Sequence, residues 1–160
     1  MPISEHMRRL LVGKTGKEYH TSADLPDELN LRGCPIKDVS ALGRIRKLNL
    51  SMCFVEDASA LGQVQELDLG HSSLEDVSAL AGVRKLNLTC CHGLVDVSAL
   101  DQVEELDLSG CTAVVDVSAL GQVRQLNLSG CTGITDVSAL GQVKRLDLSG
   151  CRAVVDVSAL

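Results

Sequence analysis

Aromatic residues are almost missing from this chain. Tryptophan is absent, and Tyr19 and Phe54 are the only Tyr and Phe. A core without rings must be built from Leu, Val, Ala and Cys packed in thin, regular layers. Basic residues are also short, with 15 Lys and Arg against 21 Asp and Glu for a formal net charge of -6. That balance argues against a nucleic-acid or anionic-membrane partner, because both require a basic footprint. No apolar run is long enough to span a bilayer. The apolar stretch in "MRRLLVGK" is too short for a secretory signal core. The expectation is a soluble, cytoplasmic chain. With 45% hydrophobic and 22% charged residues, the composition is that of a folded domain.

What the chain has in abundance is repetition. Triplets "LNL" or "LDL" begin at Leu29, Leu48, Leu67, Leu86, Leu106, Leu126 and Leu146, in steps of 19, 19, 19, 20, 20 and 20 residues. Seven copies of one unit therefore fill residues 25–160. The x-L-x-L-x alternation has the period of a strand with both leucines on one side. A strand this short cannot bury its apolar face alone. Stacked in register on its neighbours at about 4.8 Å, it forms one parallel sheet with a continuous leucine core. The first three copies are one residue shorter after the strand, as "GCPI" at 33–36 shows beside "GCTAV" at 110–114. The array thus divides into two sub-families, and a slight change of local curvature is expected between them.

The unit V-x-x-L-x-L-x-x-C-x-x-V, as in "VEELDLSGCTAV", resembles the cysteine-containing leucine-rich repeat. The "DVSAL" that follows resembles the D-I-S-P-L segment on the outer side of internalin-like repeats, with Ala in place of Pro. "CTGITDVSAL" at 131–140 is also similar to protozoan leucine-rich repeat proteins described as adenylate-cyclase regulators. The resemblance implies an α/β-type solenoid: a right-handed horseshoe or arc with a parallel sheet of about seven strands on its concave face. A unit of 19 or 20 residues leaves little room for an outer helix. The convex face is expected to hold extended segments, turns or single 3₁₀ turns.

Six of the seven cysteines recur at one repeat position, Cys34, Cys53, Cys91, Cys111, Cys131 and Cys151, with Ser72 in the slot of the third copy. In the repeats they resemble, this slot points inward and bonds loop backbone groups that would otherwise be unpaired. Spacings of 19 or 20 match no zinc motif, and an odd total with parallel side-chain directions disfavours systematic disulfides. The reading is a structural ladder of free thiols, which fits a reducing compartment.

Other short motifs carry no chemistry. "GKT" at 13–15 lacks the glycine ahead of it that a phosphate-cradling loop requires. The sequons at Asn49, Asn87 and Asn127 arise automatically from the strand pattern. The repeated aspartates of "DVS", such as Asp96, Asp116 and Asp136, have no partner base at fixed spacing and read as turn formers. No nucleophile, base and orienting group recur together, so the chain is read as a non-enzyme without cofactor or metal.

Function in a solenoid sits on exposed strand positions, read across copies. Before the first leucine stand Glu28, Lys47, Glu66, Lys85, Glu105, Gln125 and Arg145, alternating in sign over the first five copies. Between the leucines stand Asn30, Asn49, Asp68, Asn87, Asp107, Asn127 and Asp147, with no two carboxylates adjacent. Cross-strand neighbours of opposite charge help and like charges oppose, so the face is largely self-paired. The copies disagree most after the strand, where "SGCT" becomes "SMCF" at 51–54, "GHSS" at 70–73 and "TCCH" at 89–92. Met52, His71 and Cys90 then lie side by side where other copies have glycine, with Phe54 and His92 at the rim. Large and polarizable groups among small neighbours suit a protein partner. The same cluster has two other readings, drift from a duplicated consensus and a His71, Cys90 and His92 zinc site.

Residues 1–24 lack the repeat and are expected to be an N-terminal cap with a short helix at 4–12, or else a flexible segment. The last copy ends on "DVSAL" without a polar cap. A longer array, end-to-end self-association or a covering partner would each answer that edge. The sequence as a whole reads as a protein-recognition module whose contact set is Met52, Phe54, His71, Cys90 and His92, supported by Lys47, Glu66 and Lys85. Its alternatives are a passive scaffold, the substrate-receptor part of a ubiquitin ligase, and a signalling regulator of the adenylate-cyclase type.

Overall fold

A computed structural model describes residues 2–160. Helix α1 spans Glu5–Thr15. It starts where the Ser4 hydroxyl accepts the Met7 N–H at 3.3 Å, the usual way to satisfy an orphan first-turn amide. It stops at Gly16, whose left-handed φ of 70° lets its N–H close on the Val12 carbonyl. The helix runs three residues past the end of the 4–12 reading, because Thr15 bonds its hydroxyl back to the Leu11 carbonyl at 2.9 Å and Gly13 is tolerated inside. Ile3, Met7, Leu11 and Tyr19 are buried and belong to the same continuous core as the repeats.

Seven three-residue strands follow: β1 Glu28–Asn30, β2 Lys47–Asn49, β3 Glu66–Asp68, β4 Lys85–Asn87, β5 Glu105–Asp107, β6 Gln125–Asn127 and β7 Arg145–Asp147. They form one parallel sheet in sequential order. Each central leucine pairs with the next, Leu29 with Leu48 through to Leu126 with Leu146. Strict register is forced because a slip of one residue would turn every leucine to solvent.

The return segments carry 3₁₀ turns at Ser59–Leu61, Ser78–Gly82, Ser98–Leu100, Ser118–Gln122 and Ser138–Leu140. Each follows an aspartate whose Oδ1 accepts the N–H of the serine two residues on, as Asp116 does from Ser118 at 2.9 Å. That bond folds the chain back toward the sheet. Each copy therefore buries a ring of aliphatic groups. In the fifth these are Leu106, Leu108, Cys111, Val114, Val117, Leu120 and Val123.

The extra residue of the longer copies enters the turn after the cysteine. Ile36 N–H closes on the Cys34 carbonyl two residues back, whereas Val114 N–H closes on Cys111 three residues back. In the last copy Leu146, Leu148 and Val154 are only partly buried. No helix among the described residues is long and apolar enough to cross a membrane.

Candidate functional site: the concave face and its rim

The concave face is a shallow trough floored by β1 to β7. The residue before each strand leucine points out of it. Lys47 Nζ lies 3.3 Å from Glu66 Oε2 and 3.7 Å from Glu28 Oε1, bridging three strands. Lys85 reaches Glu105 at 2.9 Å, and the Arg145 guanidinium donates to the Gln125 Oε1 at 3.3 Å. A second row one residue earlier was not singled out in the sequence, although its doublets spell it: Arg46 pairs with Glu28 at 3.3 Å and Arg84 with Glu104 at 3.0 Å. All of these groups are partly or fully open to solvent, so each pair adds little stability on its own. Their effect is to cancel charge strand by strand.

The row between the leucines does two jobs. One oxygen of each residue accepts the backbone N–H two positions on, as Asn49 does from Ser51 at 2.9 Å and Asp107 from Ser109 at 2.8 Å. At two junctions the remaining atoms pair across strands, the Asn49 amide donating to Asp68 at 3.1 Å and the Asn127 amide to Asp107 at 3.0 Å. Alternation of "LNL" and "LDL" thus supplies a donor beside an acceptor.

The rim is shaped by backbone conformation. Gly33, Gly110, Gly130 and Gly150 adopt φ between 67° and 77° three residues after the strand. Met52, His71 and Cys90 occupy the same register with φ of 60°, 60° and 56°. Left-handed backbone costs a residue with a Cβ about 1–2 kcal/mol. Register brings these three side by side on adjacent turns, and each donates its N–H to the next copy, Met52 to the Gly70 carbonyl and His71 to Thr89. Met52 is 50% and Phe54 61% exposed; His71 and His92 are exposed and Cys90 is half-buried. The Met52 sulfur accepts from the Arg32 guanidinium at 3.3 Å, a contact with no local sequence signal. Among the described residues no three His, Cys, Asp or Glu side chains are gathered to hold a metal ion. His71, Cys90 and His92 are therefore not brought together in that way.

Beneath the rim, thiols run along the core. The Cys53, Cys91, Cys111, Cys131 and Cys151 thiols donate to the carbonyls of Leu31, Leu69, Leu88, Leu108 and Leu128, at 3.0 to 3.4 Å. Those carbonyls already accept a backbone N–H from their own copy, such as Cys111 to Leu108. The thiol fills a second lone pair and so ties each copy to the one before it. Ser72 turns instead to its own Leu69 carbonyl at 2.6 Å and lies 3.5 Å from the Cys91 sulfur. Burial pushes the Cys111 thiol up to about 12 and Cys131 to about 11. They remain protonated donors at neutral pH.

No family model and no curated protein matches the chain. Solved structures do. An internalin (InlF) from Listeria monocytogenes is 25% identical with a TM-score of 0.56, over 74% of this chain and 46% of that one. An internalin C2 from the same organism is 21% identical with a TM-score of 0.62, over 98% and 88%. The leucine-rich repeat domain of the type III effector XopL is 24% identical with a TM-score of 0.51, over 72% and 48%. The chain therefore spans less than half of the InlF and XopL chains it matches. Seven in-register parallel strands, outer 3₁₀ turns and these likenesses show that the chain has the leucine-rich repeat solenoid fold.

Proposed function

We propose that the chain is a non-enzymatic protein-recognition module that takes its partner on the concave face and strand-end rim. Similarity to internalins and to an effector's leucine-rich repeat domain supports protein interaction in general. The observation that carries the rim is the left-handed backbone of Met52, His71 and Cys90. Four other copies use glycine there, so the fold gains nothing from a side chain at this position. A cost accepted at three consecutive turns, where large groups are also exposed, points to use by a partner. Phe54 and His92 widen the patch, and Lys47, Glu66 and Lys85 form its polar border.

The test separates binding from stability. Replacing Met52, His71 and Cys90 together by glycine relieves the backbone, so thermal stability should hold or rise by up to about 1 kcal/mol per site. Partner capture from the source cell's lysate should be lost in the same variant and in Phe54→Ser. Unchanged capture by both variants would remove the rim from the proposal. The self-paired charges of the trough favour a second reading, a scaffold with no concave ligand; that reading expects capture insensitive to every rim substitution.

A further inference from the structure

Away from the trough and rim, three of the exposed large apolar side chains share one repeat register: Val95, Val115 and Val155, at 57%, 54% and 91% exposure. Thr135 completes the row in the copy between the last two. The residues two positions earlier are small, Gly93, Ala113, Gly133 and Ala153. A Cβ on Gly133 would sit 2.9 Å from Val115 Cγ1, so Val115 lies over the small residue of the next copy. The row is a strip of small and β-branched side chains. In the first three copies the same register holds Lys37, Glu56 and Glu75, with Lys37 and Glu56 paired at 3.3 Å. The strip therefore belongs to the 20-residue copies alone.

Asp96, Asp116, Asp136 and Asp156 stand one residue beyond it, all exposed. Each spends one oxygen on a serine amide at 2.8 to 2.9 Å, and Asp116 and Asp136 each feel the charge of neighbouring carboxylates in the row. An apolar row edged by one sign of charge specifies its complement. A second copy of this chain would bring carboxylates against carboxylates. We propose that this flank docks a basic amphipathic helix of a partner protein, its apolar stripe on Val95, Val115 and Thr135 and its lysines or arginines against Asp96, Asp116 and Asp136. Spacing suits a helix: one turn rises about 5.4 Å, close to the roughly 4.8 Å step between stacked strands, so one apolar residue per turn meets one copy.

The test uses a fluorescein-labelled Leu/Lys amphipathic peptide of about 14 residues, about 21 Å as a helix and long enough for four copies. Anisotropy titrations compare it with a scrambled peptide of the same composition, and methyl spectra of valine-labelled protein locate it. Wild type should bind the amphipathic peptide at least about tenfold better than the scrambled one, with shifts confined to the strip. Affinity should fall at least about tenfold in Val95→Lys/Val115→Lys, or in Val95→Ser/Val115→Ser if the lysines disturb folding by circular dichroism. Asp96→Asn/Asp116→Asn/Asp136→Asn keeps the turn bonds and should weaken binding and flatten its salt dependence. The glycine triple variant of the rim should bind as wild type does, which separates this surface from the concave one. No binding, equal binding of the scrambled peptide, indifference to the valine substitutions, or shifts in the trough would each overturn the proposal.

Discussion

At Gly110 two constraints meet. Its φ is +73°, and a Cβ there would lie 2.8 Å from the Cys90 sulfur. Gly110→Ala should lower stability by about 1–3 kcal/mol, from left-handed strain and overpacking together. Adding Cys90→Gly should restore the overpacking share, and urea titration of the two single variants and the double variant measures that coupling. Strictly additive losses would show that the sulfur and the glycine do not touch. The buried thiols set a second expectation. The Cys111 and Cys131 values of about 12 and about 11 lie above the ordinary 9.0, so the unfolded chain releases these protons first. Their contribution is whole below that ordinary value, which the unfolded chain keeps, and is lost as pH rises through the folded ones. Urea midpoints should therefore fall from pH 8.5 toward 11 more steeply in wild type than in Cys111→Ala/Cys131→Ala. Parallel pH profiles would count against buried thiol donors. The position of Met52, His71 and Cys90 was legible as a departure from glycine, whereas their backbone sign was not, since only φ distinguishes a strained site from a relaxed one.

Among the elements, the return turn is set by one bond. Asp116 is held below the usual carboxylate range by the Ser118 backbone amide and then by its hydroxyl. The same holds, with the order of the two varying, from Asp38 to Asp156. A lowered value means stability that is present above about pH 3.9 and lost as pH falls through the folded value. Asp116→Ala removes the acceptor and should lower the melting temperature by about 2–4 °C, while Asp116→Asn should keep it within about 1 °C at neutral pH. Equal losses would mean the charge, not the amide bond, matters. Strands, outer turns and register were readable because spacing alone dictates them: "LDL" at 20-residue steps admits one way to stack. The Arg32 to Met52 contact and the thiol's choice of the preceding copy's carbonyl were not, because they join residues 20 to 23 apart through side-chain direction.

Over the whole molecule, protection is graded along the array. Each copy touches only its neighbours, so opening free energy is a sum of local and interface parts. Leu146 and Leu148 of the last copy are only partly buried, while Leu67, Leu86 and Leu106 are at most 3% exposed. Native-state hydrogen exchange should therefore be fastest at β7 and slowest from β3 to β5. Uniform exchange would mean that the array opens as one cooperative block. The 20-residue copies carry a further implication. From Leu106 onward each copy offers its neighbour the same thiol, the same carbonyl, the same glycine turn and the same aspartate bond. Those buried and turn bonds are interchangeable, so excising or inserting one copy between β5 and β6 leaves them intact and disturbs only the exposed rows, where loss of β6 would set Asp107 beside Asp147. Chain length is in this sense a free variable: contour changes by about 4.8 Å per unit, and the valine row lengthens with it, while the rim patch, confined to 19-residue copies and their junction, stays fixed in size.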